Sequence, residues 1–322
     1  MPWKENHENH NPIIVTPILT PDSNRPIGGI YLELRTLSQP WDDRALSNLF
    51  PAVQSLADLI ASALHRAKIY SQTLAYQEIS QELKLAGSIQ ASFLPNKFPA
   101  IPGWQLAVSL LPARETSGDF FDVIELSNGK LGILIADVAD KGVGPALYMA
   151  LSRTLIRTYA EEYEAEPEVV FFAANQRLQK DARAKLFVTV FYGILDPMSG
   201  ILTYSNAGHN PPFLISSSEV DTIKTLGRTG MPLGVEFDTT WSQASVNINP
   251  GDILLLYTDG IPDAQNEQGL FFDEDRLIEM AQENLGLPAH EIQNVILTEV
   301  QKFIGKSSQF DDITLMTLVR DM

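Results

Sequence analysis

The feature that most constrains this chain is an aspartate that recurs at the ends of four short apolar segments. Each segment has the aliphatic and β-branched composition of a buried strand. The four stretches are Gly118–Leu126, Leu131–Asp140, Asp252–Gly260 and Phe310–Leu315. In three of the four, a glycine lies next to the aspartate or a few residues away, and glycine lets the backbone approach closely. Carboxylates placed at strand ends beside such turns favour a site for a hard cation.

Each aspartate taken singly is as readily explained as a turn former or a helix cap. The recurrence of the pattern is what favours a shared metal site. The chain has no cysteine and no histidine cluster, and oxygen ligands alone suit Mg²⁺ or Mn²⁺ rather than zinc. The absence of cysteine also excludes thiolate catalysis and disulfide bonds.

Six motifs around these strands occur in a fixed order. They are S-G-D-F-F-D (117–122), I-A-D-V-A-D-K-G-V-G-P-A-L (135–147), N-A-G-H-N-P-P (206–212), P-L-G-V (232–235), Y-T-D-G-I-P-D-A (257–264) and F-D-D-I-T (310–314). The ordered set resembles the SpoIIE/RsbU-type serine phosphatases, the bacterial branch of the metal-dependent type 2C protein phosphatases. The resemblance covers roughly residues 75–322.

This resemblance implies a protein serine/threonine phosphatase in which two Mn²⁺ or Mg²⁺ ions activate a water molecule. It assigns the catalytic metal ligands to four carboxylates and one main-chain carbonyl, with Asp137 expected to bridge the ions. The ligands are Asp119, Asp137, Asp259, Asp311 and the carbonyl of Val138. The substrate implied is a phosphorylated STAS-domain anti-sigma-factor antagonist, and hence partner-switching control.

Two further residues are candidates for contact with the substrate. Arg114 lies five residues before Asp119, where a guanidinium can bind a phosphate, although a solvated loop arginine fits equally well. His209 is a candidate proton donor to the leaving group, or else a histidine that hydrogen-bonds its own loop. The histidine that eukaryotic type 2C enzymes place after an Asp-Gly is absent here, so water is the simplest donor.

Four charged residues of the motifs have less defined roles. Asp122, Asp140 and Asp312 are candidates for holding water around the metals or a third cation. Lys141 is either structural or in contact with the substrate.

Residues 1–73 are expected to form a separate N-terminal element. Two strands, Ile13–Leu19 and Ile27–Leu34, precede a long helix, an order that loosely resembles the C-terminal half of a GAF sensor domain. The residues that would complete a GAF pocket would lie upstream of Met1, so a sensor remnant or a dimerisation element is expected.

The helix carries an apolar stripe at spacings of three and four from Val53 to Phe93, and Pro95 ends it. Its last part, 74–95, is interpreted as a regulatory linker helix. A helix this long predicts a homodimer through a coiled coil, the alternative being that the stripe packs on its own domains.

From residue 96 to 322, hairpin-like strands outnumber strand–helix–strand units. This predicts an α+β fold, an α/β-β/α sandwich of two antiparallel sheets flanked by helices, and the resemblance implies the same fold for this domain.

The net charge of −17 argues against nucleic acid or an anionic membrane as a partner. No apolar run approaches the ~18 residues needed to span a bilayer, so a cytoplasmic protein is expected. Two alternatives to an enzyme are a degenerate adaptor and a dimeric signal-sensing protein. The four intact carboxylates argue against the first, and the incomplete sensor argues against the second.

Overall fold

The computed structural model describes residues 12–35, 43–127, 129–164, 166–181, 186–217 and 223–322. Its contacts divide the chain into two units, Met1–Gln81 and Glu82–Met322. The division falls within helix α1, Asp43–Phe93, and inside the segment 74–95 that the sequence predicts as a linker. Helix α1 contains Pro51 and ends two residues before Pro95, where the sequence predicts its end.

In the N-terminal unit, strands β1 (Ile13–Leu19) and β2 (Pro26–Glu33) form an antiparallel hairpin, which confirms the two predicted strands. Alternate residues of β1 are buried, and Ile18 packs against Ala57 and Ala61 of α1. The Thr16 hydroxyl donates a hydrogen bond to Gln54 Oε1 at 3.2 Å. The buried side chains of β1, which are every second residue, therefore face α1.

The second unit contains two antiparallel sheets among its described residues. Their strands are β3 (Trp104–Leu111), β4 (Asp119–Glu125), β5 (Leu131–Val138), β6 (Val188–Leu195), β7 (Ile201–Ala207), β8 (Phe213–Ile215), β9 (Ile223–Thr225), β10 (Ala244–Asn247), β11 (Ile253–Tyr257) and β12 (Ile313–Arg320). Sheet I has the order β10-β7-β6-β5-β4, and sheet II has the order β3-β12-β11-β8-β9.

Helices cover the outer face of each sheet. Helices α2 (Val143–Glu162) and α3 (Pro167–Asp181) pack on sheet I, whereas α4 (Glu274–Glu283) and α5 (Ala289–Ile304) pack on sheet II. A third core lies between the sheets and includes Ile133, Phe191 and Leu254. The predicted α/β-β/α sandwich is confirmed.

The middle strands are buried on both faces, which explains why their sequences are continuous apolar runs rather than alternating ones. In β5, Ile133 and Ile135 belong to the core between the sheets, while Leu134 and Ala136 belong to the core under α2 and α3. Strand β5 extends through Asp137 to Val138, so this aspartate lies within the end of the strand.

Within the described part of the chain, none of the helices combines the length and the apolar character needed to cross a membrane.

Candidate active site

The four aspartates come from two strand ends in each sheet. In sheet I, Asp119 and Asp137 are direct partners in the β4–β5 register. In sheet II, the pairing of Tyr257 with Leu315 brings the residues after β11 beside those before β12, and these include Asp259 and Asp311. The topology therefore places the predicted ligands at one edge of the sandwich.

Two threonines join the sheets at this edge. The hydroxyls of Thr258 and Thr314, both from sheet II, donate hydrogen bonds to Asp119 Oδ2 at 2.7 and 2.6 Å. The amide of Thr314 in turn donates to the Thr258 hydroxyl at 3.0 Å. Because Asp119 is almost fully buried, these bonds fix the position of its carboxylate.

Close backbone approach explains the glycines of two motifs. A side chain at Gly260 would place its Cβ 1.9 Å from the carbonyl oxygen of Asp312. At Gly118, a Cβ would lie 2.9 Å from the Val138 carbonyl oxygen and 3.2 Å from Asp137 Oδ1. The Val138 and Asp137 oxygens therefore face the same space, which a larger residue at position 118 would fill.

Burial and mutual repulsion raise the pKa values of these carboxyl groups. The pKa of Asp137 rises to about 7, through burial and then the charges of Asp259 and Asp311. The pKa of Asp259 rises to about 6 through burial and the Asp311 charge. Burial, followed by the charge of Asp137, raises the pKa of Asp119 well above its usual value. Cations bound here would relieve both effects.

The donor set fits Mg²⁺ or Mn²⁺, because it consists of carboxylate and carbonyl oxygens facing a shared space. In the present side-chain positions, the described residues contain no group of three acidic or histidine side chains arranged so that they could hold a metal ion. Asp311 instead pairs with the Lys141 ammonium, which lies 2.9 Å from Asp311 Oδ2.

Asp122 does not belong to this site. It is fully buried and binds Arg153 of α2 at 2.8 Å and Arg157 at 2.9 Å. Asp119 and Asp122 are three residues apart in one strand, so their side chains leave opposite faces of the sheet. The prediction that Asp122 helps to hold water around the metals is therefore wrong: it attaches α2 to β4.

Asp312 binds the loop before β4. Its Oδ2 accepts hydrogen bonds from the Gly118 amide and the Ser117 hydroxyl, both at 2.8 Å, and its Oδ1 accepts one from the Ala113 amide at 2.7 Å. Through these hydrogen bonds Asp312 holds the backbone beside Asp119. Asp140 is exposed and has a positive φ of 78°, with its Oδ1 bonded to the Lys141 amide.

His209 is buried, and its Nδ1 lies 3.0 Å from the Thr189 hydroxyl. Burial lowers the pKa of His209 to about 3, so the ring is neutral at physiological pH. The main-chain amide of His209 donates to Asn206 Oδ1 at 2.8 Å. The structure thus supports the loop-binding interpretation of this histidine over that of a proton donor. Arg114 is exposed on the loop between β3 and β4.

Gln90 is a buried polar residue that sequence reasoning did not single out. Its side-chain amide donates to the Ser117 carbonyl, and its Oε1 accepts from the Ser117 amide at 3.0 Å. These bonds attach the last turns of α1 to the loop that leads to Asp119. The partner lies 27 residues away, so only a polar residue on an otherwise apolar helix face could have signalled the contact. Thr258 and Thr314 lie inside quoted motifs, but nothing in the sequence indicates their bonds to Asp119.

Comparison with known proteins agrees with this geometry. The family described as "Stage II sporulation protein E (SpoIIE)" matches residues 127–321. Protein IcfG of Synechocystis is 34% identical over 281 residues, which are 78% of this chain and 44% of IcfG. Phosphoserine phosphatase RsbU of Bacillus subtilis is 28% identical over 286 residues, 86% of this chain and 84% of RsbU. The chain thus spans less than half of IcfG.

Among solved structures, the SiaA-PP2C domain of Pseudomonas aeruginosa superposes with a TM-score of 0.69. It is 22% identical to this chain and covers 77% of this chain and 99% of that domain, a likeness that establishes the fold. The family match extends over more than half of the chain and includes the strand ends that carry Asp137, Asp259 and Asp311. The chain therefore belongs to the family described as Stage II sporulation protein E (SpoIIE).

Proposed function

We propose that this chain is a metal-dependent protein phosphatase that hydrolyses phosphoserine and phosphothreonine. One observation carries the proposal: aspartates from both sheets share one edge, where burial and their mutual charge raise the pKa values of Asp119, Asp137 and Asp259. Such a concentration of anionic oxygen destabilises the folded chain unless cations offset it. Perturbed carboxyl groups of this kind are typical of functional sites.

Asp119, Asp137, Asp259, Asp311 and the Val138 carbonyl would hold two Mn²⁺ or Mg²⁺ ions. When bound, such ions acidify a water molecule and neutralise the charge on the transferring phosphoryl group. Thr258 and Thr314 keep the Asp119 carboxylate in one orientation, and Asp312 keeps the adjoining backbone in place.

The substrate phosphate would be bound by Arg114, which is exposed on the loop before β4 and can offer two parallel N–H donors. The leaving serine oxygen would take its proton from water, because His209 is buried and neutral.

The substrate we propose is a phosphorylated STAS-domain anti-sigma-factor antagonist in the cytoplasm, following the family resemblance and the similarity to the phosphoserine phosphatase RsbU. We also propose a homodimer through α1. Large apolar side chains of the predicted stripe on this helix are exposed within one chain, among them Leu56, Leu64, Tyr70 and Leu74. A second copy would cover them as a coiled coil. The hairpin and the start of α1 would then be the GAF-like sensor remnant.

The test of the proposal is release of phosphate from a phosphoserine protein and from a generic phosphomonoester, with Mn²⁺ and after treatment with a chelator. We expect turnover only with the metal, and loss of turnover in Asp259→Asn, which removes one proposed ligand. An inactive chain that folds and binds Mn²⁺ would point to an adaptor instead. Sedimentation at several concentrations would test the homodimer separately.

A further inference from the structure

The Lys141 side chain occupies a position within the carboxylate cluster. Its ammonium lies 2.9 Å from Asp311 Oδ2 and donates a hydrogen bond to the Phe310 carbonyl at 2.7 Å. The same nitrogen stands 4.6 Å from the centre of the Phe310 ring, within the range of a cation–π contact. One cation of the protein is thus already bound to a proposed metal ligand.

The backbone on either side of Lys141 is held in unusual conformations. Asp140 has a φ of 78° and Gly142 a φ of 110°. A positive φ in a residue other than glycine is uncommon and persists where surrounding contacts maintain it. The Lys141 amide donates to Asp140 Oδ1 at 2.8 Å, which helps to hold the turn. The turn follows Val138 directly, so the lysine and two proposed ligands, Asp137 and Val138, share one short segment.

The ion pair also connects the two sheets. Lys141 follows β5 of sheet I, whereas Asp311 precedes β12 of sheet II. The Lys141 charge additionally opposes the rise of the Asp259 pKa. Lys141 therefore offsets part of the negative charge at the position where a divalent cation would do the same.

We propose that Lys141 competes with a divalent cation for Asp311, so that a metal ion binds this carboxylate only as the ammonium leaves it. The inference rests on the proposed function, because it requires Asp311 to be a metal ligand. Two cations at one carboxylate oxygen repel each other strongly. The Phe310 carbonyl and ring remain available to the displaced ammonium, which allows a short movement rather than full release.

This competition predicts that removing the charge tightens metal binding. The two side chains are 31% and 32% exposed, so the pair is only partly desolvated and its contribution is modest. Together with repulsion between the ammonium and the metal, we expect an affinity for Mn²⁺ about three- to tenfold higher in Lys141→Gln.

The experiment is calorimetric titration of Mn²⁺ into the full chain after removal of metals with a chelator. Lys141→Gln should bind Mn²⁺ about three- to tenfold more tightly than the parent, whereas Lys141→Arg, which keeps the charge, should bind within about twofold of it. Lys302→Gln is the matched control, since Lys302 also pairs with a carboxylate, that of Glu299, but on the exposed face of α5. In chelator, Lys141→Gln should melt at a lower temperature than the parent, and saturating Mn²⁺ should remove that difference.

Equal Mn²⁺ affinity in the parent and in Lys141→Gln would overturn the role of Lys141 and leave the metal site intact. A raised KM for the phosphoprotein with unchanged Mn²⁺ affinity would also overturn it, because the lysine would then contact the substrate. If the parent itself takes up no Mn²⁺, the metal site of the proposed function fails, and the competition fails with it.

Discussion

The buried ion pair between Asp122 and the arginines of α2 gives a prediction that separates structural from metal-binding aspartates. The change is Asp122→Asn, which keeps the shape of the side chain and removes its charge. Arg157 then retains a second partner, because its Nε lies 3.4 Å from Glu161 Oε1 and its side chain is 38% exposed. Arg153 is only 13% exposed, and its Nε has no hydrogen-bond partner among the described residues.

The expected cost follows from these two environments. Removing one partner of a buried pair typically destabilises a protein by about 3–5 kcal/mol, because the other charge stays buried and unpaired. Among the described residues, only Arg153 is left without an acidic partner. We therefore expect the free energy of unfolding to fall by an amount near the lower end of this range, about 3 kcal/mol. A double variant, Asp122→Asn with Arg153→Met, should recover part of this loss, since no unpaired cation remains.

The assay is urea denaturation followed by circular dichroism, together with the Mn²⁺ concentration that gives half-maximal activity. Asp181→Asn is the matched control, because Asp181 pairs with Arg177 on the exposed face of α3 and should contribute less than about 1 kcal/mol. If Asp122→Asn needs a higher Mn²⁺ concentration for half-maximal activity and its stability is unchanged, the structural assignment is refuted and Asp122 belongs to the metal site.

Three further predictions follow from the site. Asp137→Asn should abolish turnover and the rise in melting temperature caused by Mn²⁺. In chelator, the stability of this variant relative to the parent should increase with pH, measured by melting curves from pH 4 to 8. The folded pKa of the parent's Asp137 is raised to about 7, so the parent protein loses stability as the pH rises through that value. Asparagine does not titrate, so the variant does not lose stability in this way. Gln90→Ala should lower the free energy of unfolding by about 2 kcal/mol, measured in urea, because the Ser117 amide and carbonyl lose their buried partners. Turnover of labelled substrate quenched in acid should leave no label on the protein, since the nucleophile we propose is water; a phosphoaspartate would contradict that proposal.

The sequence predicted the long elements well, because their patterns are strong. Continuous apolar runs mark β5 and β11, and the helix-breaking effect of Pro95 places the end of α1 within two residues. The strands Phe213–Ile215, Ile223–Thr225 and Ala244–Asn247 were missed because three or four residues are too short to show a period.

The roles of paired aspartates were harder to predict. Asp311 and Asp312 are adjacent and chemically identical, yet one pairs with Lys141 and the other holds backbone amides. Side chains alternate between the two faces of a strand, so Asp119 and Asp122 must point to opposite faces of the sheet. The sequence could have predicted this only if β4 were known to begin at Asp119. Partners such as Arg153 depend on how α2 lies over the sheet, which local patterns do not specify.

The hydrogen bond between Asp119 and Thr314 spans 195 residues of the chain. Thr314 belongs to β12, which lies between β3 and β11 and pairs with both of them. A polypeptide that has been synthesised only as far as residue 312 therefore lacks a hydroxyl that orients Asp119, and its β3 and β11 have no common neighbour. During translation, the hydrogen bond from Thr314 to Asp119 and the pairing of β12 with β3 and β11 can therefore form only after the last strand of the chain has been made.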